Sequence, residues 1–224
     1  MPSSLRMKTL LCFGDSNTWG YDPAGTATAG HPVRYAPDVR WTGVLAREMG
    51  SDWRVIEEGQ NGRTTVHEDP LAAASRNGRK HLPVCLESHK PIDFVVLMLG
   101  TNDLKSMFNV PPGDIAAGAS LLVKMILQSD AGPDAKAPRV LLICPPPVGD
   151  LSVLPELDAK VARGQEKSHA LPGLYQAVAK LHGVSFLNSQ RHVVPSHLDG
   201  LHLGAKDHEV LGLAVAEAVK HMAF

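Results

Sequence analysis

The chain has 224 residues, 44% of them hydrophobic and 20% charged, with a formal net charge of −1. That supplies a core of ordinary domain size, and the near-neutral balance gives no general pull toward nucleic acid or an anionic membrane. Cys12, Cys85 and Cys144 are an odd number with no CxxC spacing, so free thiols are expected rather than a disulfide framework or a zinc site.

Residues 1–6 are expected to be a frayed tail, and the folded part to begin at Met7. The apolar run 9–13 predicts a first strand, closed by Gly14-Asp15. It is too short for a signal-peptide core. No apolar stretch approaches the ~18 residues of a membrane span. A cytoplasmic protein with no membrane partner is the expectation.

Residues 41–49 predict a helix that Gly50 ends, and 53–58 a second strand that stops at Gly59. The uniformly apolar run 94–99 predicts a strand covered on both faces. A helix over 115–127 and another covered strand over 139–144 follow, the latter stopped by Pro145-Pro146-Pro147. Residues 174–181 predict a helix, 184–187 a strand, and 204–222 a closing amphipathic helix. The Pro/Gly-rich stretches 21–37 and 145–164 are expected to be long loops that wall a site.

Strands alternating with helices imply a parallel sheet with right-handed crossovers. The expected architecture is therefore α/β, a three-layer α/β/α sandwich on a flavodoxin-like sheet. Residues 1–224 are expected to form one domain, since no repeat, low-complexity tract or linker interrupts the pattern.

The informative step is Gly14-Asp15-Ser16-Asn17-Thr18-Trp19, at the C-terminal end of the first strand. In open α/β sheets ligands bind in the crevice outside the carboxyl ends of the strands. A serine hydroxyl there is a weak nucleophile unless a base stands beside it. Asp199-Gly200-Leu201-His202 offers one, with Asp199 three residues before His202 and able to fold back on its ring. The bland readings are an N-cap or turn serine and an Asx-turn aspartate before Gly200, and the second is compatible with catalysis. The rival from another class is a phosphate- or nucleotide-binding module, since hydroxyl-rich loops after a first strand can hold phosphate. It has no GxxxxGK[ST] or GxGxxG to support it and no use for Asp199 and His202.

Gly14-Asp15-Ser16, Asn61-Gly62, Gly100-Thr101-Asn102-Asp103 and Asp199-Gly200-Leu201-His202 stand in the order of the four sequence blocks of the SGNH hydrolases, the GDSL esterases. The segments 11–16, 40–43, 56–59, 63–65 and 98–103 resemble the bacterial arylesterases and acyltransferases of that superfamily. The resemblance implies the SGNH hydrolase fold and a serine esterase acting on a small-molecule ester. The implied substrates are short-chain aryl or alkyl acetates, with transfer of the acyl group to alcohols as a further capacity. It implies Ser16 as nucleophile, His202 as general base and Asp199 as its orienting partner. The oxyanion hole would combine the Ser16 and Gly62 backbone N–H groups with the Asn102 side-chain amide. Many relatives self-associate, so a homo-oligomer is expected.

The chain departs from that pattern at Ser16-Asn17 and at Gly59-Gln60-Asn61-Gly62. Asn17, Gln60 and Asn61 are expected to make the pocket floor more polar, which suits a sugar or polar-metabolite O-deacetylase as the alternative. Asp15 and Asp103 are expected to brace the loops that carry Ser16 and Asn102. Trp19, Tyr21, Trp41 and Phe108 are the candidates for an acyl or alcohol pocket, with Trp41 also at core spacing in the unexplained Arg40-Trp41-Thr42-Gly43. Among eleven histidines, His192, His197, His202 and His208 invite a metal reading. They lack the i, i+4 spacing of a helical site, so solvated loop histidines are expected, with no metal and no cofactor.

Overall fold

The computed structural model describes residues 6–152 and 154–223. Of the tail expected at 1–6 only Arg6 lies within the described residues, exposed and paired with Asp93 at 2.6 Å.

Five strands form one parallel sheet in the order β2-β1-β3-β4-β5: β1 (Lys8–Gly14), β2 (Trp53–Gly59), β3 (Phe94–Met98), β4 (Arg139–Cys144) and β5 (Ser185–Asn188). Eight helices accompany them among the described residues: α1 (Ser16–Trp19), α2 (Pro23–Ala29), α3 (Trp41–Met49), α4 (Gly78–His89), α5 (Pro112–Leu127), α6 (Pro155–Lys160), α7 (Gly164–His182) and α8 (Ala205–Ala223). Alternate residues of each strand point to opposite faces, and both faces are apolar. Leu11, Phe13, Val95, Leu97, Val140 and Leu142 pack under α4, α5 and α7. Leu10, Cys12, Val96, Met98, Leu141 and Ile143 pack under α3 and α8. This is the three-layer α/β/α arrangement that the apolar runs imply.

The chain leaves β1 for β2 on one side and later returns to add β3 on the other. The crevice between β1 and β3 is therefore the topological switch point, where such sheets bind ligands. Three of the blocks singled out in the sequence follow β1, β2 and β3 at that end.

The helices depart from the sequence reading in five places, the first being the single turn α1, which the reading leaves out. The stretch 21–37, read as a loop, holds α2. Asp22 caps it by accepting from the Ala24 and Gly25 N–H groups, and Pro23 starts it. The stretch 145–164 holds α6. Helix α4 has no counterpart in the reading; Asn77 caps it and Pro83 sits inside it. The helix read over 174–181 in fact begins at Gly164, with Pro172 in its interior. Proline lacks the N–H that the carbonyl four residues earlier would accept. Here the Gln190 Nε2 donates to that carbonyl, of Ser168, at 2.9 Å, so the break costs less than it would in isolation.

The segment 40–43 is architectural. Trp41 is fully buried in the α3–α8 layer, so it is core and lines no pocket. Arg40 pairs with Glu57 at 2.9 Å, and the Thr42 hydroxyl donates to the same carboxylate. A Cβ on Gly43 would stand 1.7 Å from the Pro37 carbonyl oxygen, so only glycine fits that contact.

Candidate active site

Ser16 is the first residue of α1, directly beyond β1, and is 8% exposed. The carboxylate of Asp15 accepts from the Asn17 N–H at 3.0 Å, and Gly20 at φ +89° closes the helix one turn later. Ser16 is thus presented beyond the carboxyl end of an interior strand by a capped single turn. The Oγ of Ser16 lies 2.9 Å from His202 Nε2, and His202 Nδ1 lies 2.6 Å from Asp199 Oδ2. Residues 186 positions apart in sequence thereby form a serine–imidazole–carboxylate relay.

Asp199 acts as a turn residue as well. Its Oδ1 accepts from the Leu201 and His202 N–H groups at 3.0 and 2.9 Å, with Gly200 at φ +65° between them. Burial pushes its pKa up, but the hydrogen bond and charge of His202 and the two backbone donors outweigh it, so the net shift is below the ordinary carboxylate value. Asp199 is ionised wherever the relay would operate. The ring of Tyr21 stacks on His202 with centroids 3.8 Å apart, which limits rotation of the imidazole.

Gly62 and Asn102 line the same cavity as Ser16 and His202, a space of about 220 Å³. Gly62 lies at φ +80°, a conformation natural to glycine, in the turn after β2. Arg63 holds that turn: its guanidinium donates to the Gly14 carbonyl at 2.8 Å and to that of Glu58, and it lies over the Phe13 ring at 4.2 Å. The Asn102 Nδ2 donates to the Arg63 carbonyl at 3.1 Å. One N–H bond fixes this amide and leaves its second available to a ligand. The structure therefore brings together all five residues singled out in the sequence: Ser16, Gly62, Asn102, Asp199 and His202.

Asp103 and Asp15 lie beneath the site. Asp103 accepts from the Thr65 N–H at 2.9 Å and from the Thr65 hydroxyl, joining the Asn102 turn to the segment after Gly62. Burial raises the Asp103 pKa to about 7 and the Asp15 pKa to about 6. Burial likewise raises the thiols, those of Cys85 and Cys144 to about 12, which leaves them poor nucleophiles. The three cysteines are free and buried.

Other expectations fare differently. The segments 21–37 and 145–164 do wall the cavity, through Tyr21 and Pro32 on one side and Leu157, Lys160 and Val161 on the other. Phe108 stacks on His67 instead, and Trp19 receives Arg34 over its ring. The polar floor is smaller than the sequence suggests. Both amide atoms of Asn17 are bonded within the protein, and so are those of Gln60. Among the three, only Asn61 has a buried oxygen without a partner. His208 is no solvated loop residue: it is fully buried on α8, and its Nδ1 accepts from the Trp41 N–H at 3.2 Å. No group of three His, Cys, Asp or Glu residues among those described is placed to hold a metal ion.

Residues 12–210 match the model of the GDSL-like lipase/acylhydrolase family. The chain belongs to that family. Its fold superposes on the aryl esterase of M. smegmatis with a TM-score of 0.89 at 41% identity, over 96% of this chain and 99% of that one. A carbohydrate acetylesterase from Sinorhizobium meliloti, Est24, gives 0.90 at 39% identity over the same shares. A lipase/acylhydrolase from Enterococcus faecalis, at 23% identity and 0.63, shares the fold. None of the curated proteins matches the chain. As a member of this family the chain is a carboxylic ester hydrolase. No helix among the described residues is long and apolar enough to cross a membrane.

Proposed function

We propose that the chain hydrolyses short-chain carboxylic esters, aryl or alkyl acetates, through an acyl-enzyme at Ser16. The observation that carries this reading is the relay itself, Ser16 Oγ at 2.9 Å from His202 Nε2 and His202 Nδ1 at 2.6 Å from Asp199, opening into a cavity with Gly62 and Asn102 on its wall. Ser16 Oγ attacks the ester carbonyl carbon while its proton passes to His202 Nε2. The carbonyl electron pair moves onto oxygen, and the Ser16 and Gly62 N–H groups with the Asn102 amide stabilise that charge. Collapse re-forms the carbonyl and breaks the bond to the alcohol oxygen, which takes the proton from His202. Water, or a second alcohol, then attacks the acyl-Ser16 carbonyl with His202 again as base, and collapse breaks the bond to Ser16 Oγ, which takes the proton back from His202 as the acid or new ester leaves. Asp199 holds the Nδ1–H tautomer and stabilises the imidazolium in both halves.

The cavity, at about 220 Å³, is smaller than the roughly 300–1,000 Å³ of sites for drug-sized ligands, which supports a small acyl group. A sugar or polar-metabolite O-deacetylase is the second reading. It is favoured by the likeness to a carbohydrate acetylesterase and by the unpartnered oxygen of Asn61 on the cavity wall. Free buried thiols suit the reducing cytoplasm.

The test is turnover of p-nitrophenyl acetate, butyrate and octanoate by the wild type and by Ser16→Ala. Turnover that falls steeply with chain length and vanishes in the variant is expected. Turnover that persists in Ser16→Ala would retire the acyl-enzyme. Faster release of acetate from an acetylated sugar than from the aryl ester would favour the second reading.

A further inference from the structure

We propose that Asn17 is a positioning residue that fixes the distance between Ser16 and His202, a role that rests on the esterase reading. Asn17 follows Ser16 on α1 and is 1% exposed. Its Nδ2 donates to the Leu201 carbonyl at 3.2 Å, and its Oδ1 accepts from the Leu203 N–H at 3.0 Å. Leu201 and Leu203 flank His202. One side-chain amide thus grips the chain on both sides of the base, as a neighbouring strand would.

The segment carrying His202 is otherwise held from elsewhere. It is folded on itself by the Asp199 carboxylate, by Ser196 N–H donating to the His202 carbonyl at 2.7 Å and by Gly200 N–H donating to Ser196 at 2.8 Å. It is tied to the opposite loop by Gly149 N–H donating to the Gly200 carbonyl at 2.7 Å. None of these bonds reaches α1. Besides the serine–imidazole contact, the links from the nucleophile's side are the Tyr21 stack, which holds the ring, and the Asn17 amide, which holds the backbone. Without Asn17 the segment keeps its own shape, but its register against Ser16 is free to drift. A misplacement of about 1 Å can cost on the order of a hundredfold in rate. The amide oxygen and one N–H are spent inside the protein and the side chain is almost wholly buried, so Asn17 offers a substrate little to bind. Its loss should therefore appear in kcat and not in KM.

The test compares the wild type with Asn17→Leu and Asn17→Asp on p-nitrophenyl acetate, alongside the rate at which a fluorophosphonate labels Ser16. Asn17→Leu keeps the volume and removes both bonds, so kcat and labelling should fall together by about ten- to a hundredfold, with KM within about twofold. Asn17→Asp keeps the acceptor for Leu203 but, when ionised, turns a second oxygen toward the Leu201 carbonyl. When protonated it regains a donor there. The ratio of its kcat to that of the wild type should therefore rise as the pH is lowered. A purely structural role would leave that ratio flat, and a flat ratio overturns the proposal. So does an Asn17→Leu enzyme with kcat and labelling within about threefold of wild type, well under the loss that misplacement predicts. If Asn17→Leu fails to fold, the pH-dependent ratio of Asn17→Asp decides. Turnover that survives Ser16→Ala would count against the esterase reading instead, and the labelling rates would still decide the role of Asn17.

Discussion

Asp199→Asn is the most discriminating single change, because the bonds around Asp199 dictate how an amide would sit. In the native protein one carboxylate oxygen accepts from two backbone N–H groups at 3.0 and 2.9 Å, and the other faces His202 Nδ1 at 2.6 Å. An asparagine must keep its carbonyl oxygen on the two N–H donors, since its NH₂ cannot accept them. The NH₂ then points at Nδ1 and requires that nitrogen to be an acceptor. The ring proton is forced onto Nε2, which faces the Ser16 hydroxyl at 2.9 Å, and a protonated Nε2 cannot take the serine proton. The variant should fold, because every backbone bond is retained, yet lose on the order of 10⁴ in kcat, as the equivalent change does in serine proteases. That corresponds to about 5.5 kcal/mol of transition-state stabilisation. The assay is p-nitrophenyl acetate hydrolysis, with circular dichroism to confirm folding. A folded Asp199→Asn enzyme within about tenfold of wild type would refute the tautomer argument.

Three further outcomes are expected. Asn102→Ala should lower kcat by about 10²–10³ with KM little changed, because its second N–H acts on developing charge; a pure KM effect in steady-state kinetics would remove it from the oxyanion hole. His208 is neutral in the fold, with burial taking its pKa down to about 3, while the unfolded chain takes up a proton near pH ~6.5. Its contribution is thus present above pH ~6.5 and lost as the pH falls toward 3, at about 1.4 kcal/mol per pH unit. Asp15 and Asp103, raised by burial to about 6 and about 7, work in the opposite sense: they favour the fold below pH ~4 and lose that contribution as the pH rises to about 7. The stability advantage of wild type over His208→Asn in urea titrations should therefore shrink by about 1.4 kcal/mol per unit between pH ~6 and ~4; an advantage independent of pH would contradict it. Trp41→Ala should cost about 3–5 kcal/mol while leaving kcat per folded molecule unchanged; a changed KM would return Trp41 to the pocket.

The sheet was legible because β1, β3 and β4 are runs of mostly apolar residues covered on both faces, and because glycine or proline ends most of the strands. The residues proposed as nucleophile, oxyanion donors and aspartate–histidine pair stood out because each occupies a short block at a strand end or before the last helix. Helix α7 was half hidden because Pro172-Gly173 carries a stop signal, whose cost Gln190 offsets from 18 residues away. Helix α4, polar and interrupted by Pro83, gave little periodicity to read. The role of Asn17 had no sequence signature at all. Its partners are backbone groups of residues 201 and 203, which no pattern of side chains announces. His208 misled for the converse reason: a histidine near the end of the chain suggests solvent, and only the packing of α8 on α3 reveals that its ring serves the Trp41 N–H.

Mass spectrometry of the enzyme quenched in acid during turnover of p-nitrophenyl acetate would reveal the acyl-enzyme itself. An acetyl group is expected on the peptide that contains Ser16, and none there in Ser16→Ala. An acetyl group on another residue, or unimpaired turnover by Ser16→Ala, would contradict it.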